Sequence, residues 1–71
     1  MHSKKTWMPA VVIHMHGAAV PIVYDMPLTT KKDALFTAQF FRDGVHDDLR
    51  SRLGHSYFKL STKAIAASTL R

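Results

Sequence analysis

The chain has 71 residues and no Cys, with ten Lys plus Arg against five acids and a formal charge of +5. That length holds one domain with a thin core, and the missing cysteines exclude disulfides, thiolate metal sites and thiol catalysis. All five acids are Asp, and a basic excess of this size favours anionic partners, nucleic acid first and acidic proteins second.

One small α+β domain is expected over residues 1–71, with residues 1–6 as a flexible N-terminus. Lys4 and Lys5 ahead of an apolar stretch superficially match the opening of a secretory signal. Pro9, His14, His16 and Pro21 interrupt that stretch, however, and a membrane span needs about 18 uninterrupted apolar residues. A cytoplasmic protein without a membrane partner is therefore expected, and the absence of Cys agrees with a reducing compartment.

Val11–Tyr24 reads VVIHMHGAAVPIVY, two β-branched runs on either side of Gly17. Gly17-Ala18 suits a two-residue type II′ turn, because Gly takes positive φ at the first central position. That register pairs Met15 with Val20, Ile13 with Ile22 and Val11 with Tyr24, all on one face, and leaves Val12, His14 and His16 on the other. It has one defect. Pro21 falls opposite His14, where a ladder N–H is required and proline has none. Two histidines two apart on a strand are potential metal ligands, but a tetrahedral site needs two more and nothing in the sequence places His46, His55 or an Asp beside them. No metal or cofactor is expected.

Pro27 closes the second strand, and Thr30 with Asp33 three residues later forms a weak relative of the capping box. From Lys31 to about Leu53 the apolar spacing is helical. Ala34, Leu35, Ala38, Phe41, Val45, Leu49 and Leu53 gather on one broad face, and Gly54 stands as the stop. Phe36 and Phe40 fall on nearly the opposite side, four residues apart and so expected to stack on each other. Two explanations stand open. Either the helix bends or ends near Gly44 so that its halves bury different faces, or the two rings are an exposed anchor for a partner. After Gly54, the run from His55 to Leu60 alternates as a strand with Tyr57 or Phe58 inward. Ser61-Thr62-Lys63 then reads as a turn, and Ala64–Leu70 as a last short strand or a helical turn. The order is thus β-β-α-β with a possible fourth strand, one helix covering an antiparallel sheet.

Catalysis has no support: no Ser lies in a nucleophile-elbow motif, the three glycines are far apart, and His46 beside Asp47 and Asp48 is not aimed at either by adjacency on a helix. The expected function is a small basic non-catalytic protein-interaction module, a regulator, inhibitor or accessory subunit of a larger complex. It would act through an exposed helix face, with Phe36 and Phe40 as partner-binding residues, or through a strand edge; a homodimer is compatible with both. The alternative is a DNA- or RNA-binding protein using Lys31, Lys32, Arg42, Arg50, Arg52, Lys59 and Lys63 with exposed aromatics. Against it, the run His46–Arg52 mixes both signs as a solvated helix does.

Overall fold

The computed structural model describes residues 5–67 and shows a small α+β domain of two layers. In chain order its elements are β1 (Trp7–Met15), β2 (Ala18–Val23), α1 (Lys31–Leu53) and β3 (Lys59–Ala66). The sheet order is β2-β1-β3, and β1 is antiparallel to both neighbours. β2 and β3 therefore run parallel to each other with β1 between them, and α1 is the long crossover such strands need.

The β1–β2 turn is His16-Gly17 rather than Gly17-Ala18. His16 has φ 54° and Gly17 φ 78°, the two positive values of a type I′ turn, in which Gly is the easier occupant and His one of the more tolerant non-glycine residues. The register follows: Met15 opposite Ala18, Ile13 opposite Val20, Val12 opposite Pro21. Each β1 residue thus meets a partner two positions earlier than expected, so face membership is unchanged while hydrogen-bonding parity is reversed. Proline explains the choice. The Tyr24 amide donates to the Pro9 carbonyl at 3.0 Å, and alternation from that bond places Pro21 in a non-hydrogen-bonded pair with its nitrogen on the outer edge, where no N–H is needed.

Pro9 sits in the central strand, where proline is rarely tolerated. Its missing N–H would have served the carbonyl of Tyr24. That carbonyl accepts instead from the Met26 amide at 2.8 Å. Beyond this point the pairing resumes, because Trp7 and Leu28 exchange both backbone bonds at 2.8 Å. On the other flank β3 pairs without interruption from His14–Lys59 to Trp7–Ala66. Ser61-Thr62-Lys63 is the middle of this strand, not a turn: Ser61 and Thr62 lie opposite Val12 and Val11, and pairing to a buried strand outweighs their turn preference. The Ala64–Leu70 piece has no separate strand among the described residues; Ala64–Ala66 end β3, and residues 68–71 lie outside the description. The Ala67 amide reaches the Thr6 carbonyl at 2.9 Å, so pairing begins inside the segment read as a flexible N-terminus, of which residues 1–4 are likewise not described.

The helix has the expected bounds. Thr30 caps it, accepting from the Asp33 amide at 3.0 Å, and Gly54 ends it at φ 63°, donating its own amide to the Arg50 carbonyl. It runs unbroken through Gly44, so it does not end there. Ala34 and Ala38 are fully buried and let the helix backbone lie close to the sheet. Tyr24 and Phe41 stack with centroids 4.2 Å apart, and His46 meets Phe58 at 5.4 Å. α1 thus covers the face that carries Trp7, Pro9, Val11 and Ile13, lying on β1 and β3 and hardly on β2. Among the described residues the buried ones are few: Met8, Pro9, Ala10, Val11, Ala34, Ala38 and Phe58.

Two glycines give opposite expectations. A Cβ at Gly44 meets nothing within 4 Å, so Gly44→Ala should stabilise the domain by about 0.5–1 kcal/mol in urea denaturation through helix propensity alone. Gly17 is equally open but holds φ 78°, so Gly17→Ala should destabilise it by about 1–2 kcal/mol.

Candidate interaction surface

α1 can bury only one stripe against a sheet of this width. Ala34 and Ala38 take that stripe, and at about 100° per residue Phe36 and Phe40 are carried to the far side. Phe36 is 73% exposed and Phe40 78% exposed. Their rings make no aromatic contact with each other, contrary to the stacking expected at this spacing. They stand as two separate apolar projections on one helix face. Shallow grooves flank them, one lined by Lys31, Lys32, Leu35, Phe36 and Gln39, the next by Phe36, Gln39, Phe40, Arg42 and Asp43.

Charge is ordered along this face. Lys32 stands exposed at the N-terminal end; Asp43 and Asp47 stand exposed toward the C-terminal end. Arg42 lies 3.9 Å from Asp43 and His46 3.9 Å from Asp47, distances at which exposed pairs contribute little. The two aromatic rings lie between opposite charges.

The seven basic residues named for nucleic acid are dispersed over the domain. Lys31 lies over the Trp7 ring at 5.8 Å, with Lys5 at 5.3 Å, while Lys32 and Arg42 border the Phe36/Phe40 grooves. Arg52 is held by Asp48 at 3.1 Å. Arg50 has a structural task that the sequence reading missed. One of its terminal nitrogens donates to the carbonyls of Gly54 at 2.6 Å and Ser56 at 3.1 Å. Its guanidinium also lies 4.6 Å from the Phe58 ring centroid. The signal was the spacing of Arg50 four residues before a helix-stop glycine, where a basic side chain meets the last carbonyls.

Lys59 and Lys63 alternate on β3 with Leu60 and Thr62, and so lie on the sheet face that α1 leaves open. His14 shares that face and is hydrogen-bonded from Nε2 to Ser61 Oγ at 2.9 Å, the donor depending on the ring tautomer. His16 belongs to the turn, so the two imidazoles do not stand side by side on one strand face. No group of three or more His, Cys, Asp or Glu side chains able to hold a metal is gathered among the described residues. No helix among them is long and apolar enough to cross a membrane.

No protein-family model, curated protein or solved structure matches this chain.

The contacts of Arg50 make one stability expectation. Arg50→Ala should cost about 1–2 kcal/mol in thermal or urea unfolding, through two carbonyls left to water and a lost cation–π contact. Arg50→Lys should recover less than half of that, because a single ammonium does not reproduce the planar guanidinium.

Proposed function

We propose that this protein is a small non-catalytic interaction module that engages another protein through the outer face of α1, as a regulator, inhibitor or accessory subunit acts on a larger assembly. The observation that carries this reading is the exposure of Phe36 and Phe40 on an uninterrupted helix whose opposite face already holds the core. Exposed aromatics clustered on one face are the usual anchors of protein interfaces, since ring burial supplies most of the affinity and bordering charges supply orientation. A core of so few residues adds to the argument, because a chain of this size without disulfides gains stability from whatever binds its native state.

A second reading has one observation behind it. The open sheet face carries Lys59, Lys63 and His14 and no Asp, whereas four of the five acids lie on α1. Such a face suits a phosphate backbone. Tyr57, itself exposed, lines a hollow with His14 and Lys59 at one end of that face and offers a ring for base stacking.

A photo-crosslinking residue placed at Phe36 tests the first reading in the cells that make the protein, with the same probe at Ala19, exposed on the sheet face away from α1, as control. The expected result is a discrete protein adduct from position 36, absent from position 19 and lost when Phe40→Asp is added, while circular dichroism shows the variant folded. Equal labelling from both positions would overturn the reading. Anisotropy titrations of labelled duplex DNA and RNA complete the comparison. Binding near physiological salt that depends on Lys59 and Lys63, with a salt slope of several phosphate contacts, would move the second reading ahead.

A further inference from the structure

The outer face of α1 is ordered along its length as basic, aromatic, acidic. Lys32 comes first, Phe36 and Phe40 stand in the middle, Asp43 and Asp47 follow. Such an order is complementary to its own reverse. We propose that this face pairs with the same face of a second copy of the chain, helices antiparallel, about a two-fold axis passing between Phe36 and Phe40. The inference rests on the protein-binding reading of this face and names its occupant.

The helix geometry carries the pairing. With a rise of about 1.5 Å per residue, a midpoint at residue 38 puts Lys32 about 9 Å to one side and Asp43 about 7.5 Å to the other. Reversing one copy therefore brings each Lys32 level with the other copy's Asp43. The two residues also lie on the same flank: eleven residues apart is three turns plus about 20°. A two-fold axis perpendicular to both helices keeps a flank on its own side, so each Lys32 faces an Asp43 instead of crossing over it. Asp33, the one acid at the basic end, is on the opposite flank and looks toward Gly44 of the facing copy, which has no side chain to repel. Phe36 of each copy meets Phe40 of the other, beside grooves lined by Gln39 and Arg42.

Size and charge agree with a reversible dimer. Burying two largely exposed Phe side chains per copy removes on the order of 600 Å² over the four rings, the apolar centre of a small interface. Each copy carries a formal +5, but repulsion between distant surface charges is screened within about 8 Å at physiological salt, while Lys32 and Asp43 meet at contact. The pairing also closes on itself. Both aromatic pairs are used in one isologous contact, so it ends at two copies.

Three other surfaces carry less. The β2 edge presents Pro21 outward and interrupts any added strand. The open sheet face and the hollow at the hairpin tip, lined by His14, His16, Tyr57 and Lys59, show nothing that selects an occupant.

Sedimentation equilibrium of the full chain from about 1 µM to about 1 mM, a range that brackets micromolar dissociation constants, tests the proposal. Wild type should show a monomer–dimer equilibrium. Lys32→Asp and Asp43→Lys, each alone, should weaken it roughly tenfold, because both symmetric pairs become like-charged. An equimolar mixture of the two variants should restore it, since a heterodimer has both pairs complementary again. Circular dichroism verifies folding, which neither exposed substitution threatens. Wild type monomeric over the whole range, or a mixture no tighter than its components, overturns the proposal. If wild type is monomeric while position 36 still crosslinks to a protein in cells, self-pairing falls and the surface reading stands. If the crosslink is absent as well, both fall.

Discussion

The closeness of α1 to the sheet is the constraint on which the rest of the molecule depends. Ala34 and Ala38 are the two helix residues with no exposed surface, and they lie over a central strand whose Val11 is equally buried. A stripe of alanines allows close approach, but it supplies little apolar area of its own. Larger side chains work at the margins, Phe41 on Tyr24 and Phe58 beneath His46 and Arg50. Phe36 and Phe40 are consequently fixed on the outside by the same periodicity that puts the alanines inside.

The strands answer a second constraint, set by two prolines. Pro21 is harmless only where its nitrogen points to solvent, and the His16-Gly17 turn produces that register at the cost of a non-glycine residue at positive φ. Pro9 cannot be moved to an edge, since β1 is central. Its effect is contained by bending the chain after Tyr24, so that Met26 takes the carbonyl that Pro9 leaves unserved. One proline therefore sets the hairpin register, and the other sets where β2 ends.

Much of this was legible in the sequence, and unevenly so. The helix declared its bounds through Thr30, Asp33 and Gly54, because capping is decided by residues within one turn of the end. The face shared by Val11, Ile13, Val20 and Ile22 was legible because alternation survives a shift of two residues. The turn was not, since Gly17 satisfies a type I′ turn as readily as a type II′ one and only the pairing of Pro21 separates them. β3 was the larger miss. Ser61, Thr62 and Lys63 have the local chemistry of a turn, and they become mid-strand only because β1 lies beside them. No window of sequence contains that neighbour. The separation of the basic residues was hidden for the same reason: Arg50, Lys31 and Lys63 look alike in a list of charges, yet one braces a loop, one covers Trp7 and one stands on an open sheet face.

Exposed rings on a small basic protein invite aggregation as well as recognition, and the surrounding charges decide between them. An apolar patch ringed by one sign of charge is kept soluble by repulsion but selects no orientation. A patch on a flat strand edge pairs without limit, whereas Pro21 breaks the β2 edge against such growth. On α1 the rings lie between Lys32 at one end and Asp43 and Asp47 at the other, so only a partner of reversed polarity brings both ends into register. A second copy turned end for end has that polarity by construction. The same asymmetry penalises a parallel approach, in which Lys32 would meet Lys32 and Asp43 would meet Asp43. In the proposed pairing, orientation is thus written in the charges and affinity in the rings, and removing either leaves a surface that sticks without choosing or chooses without holding.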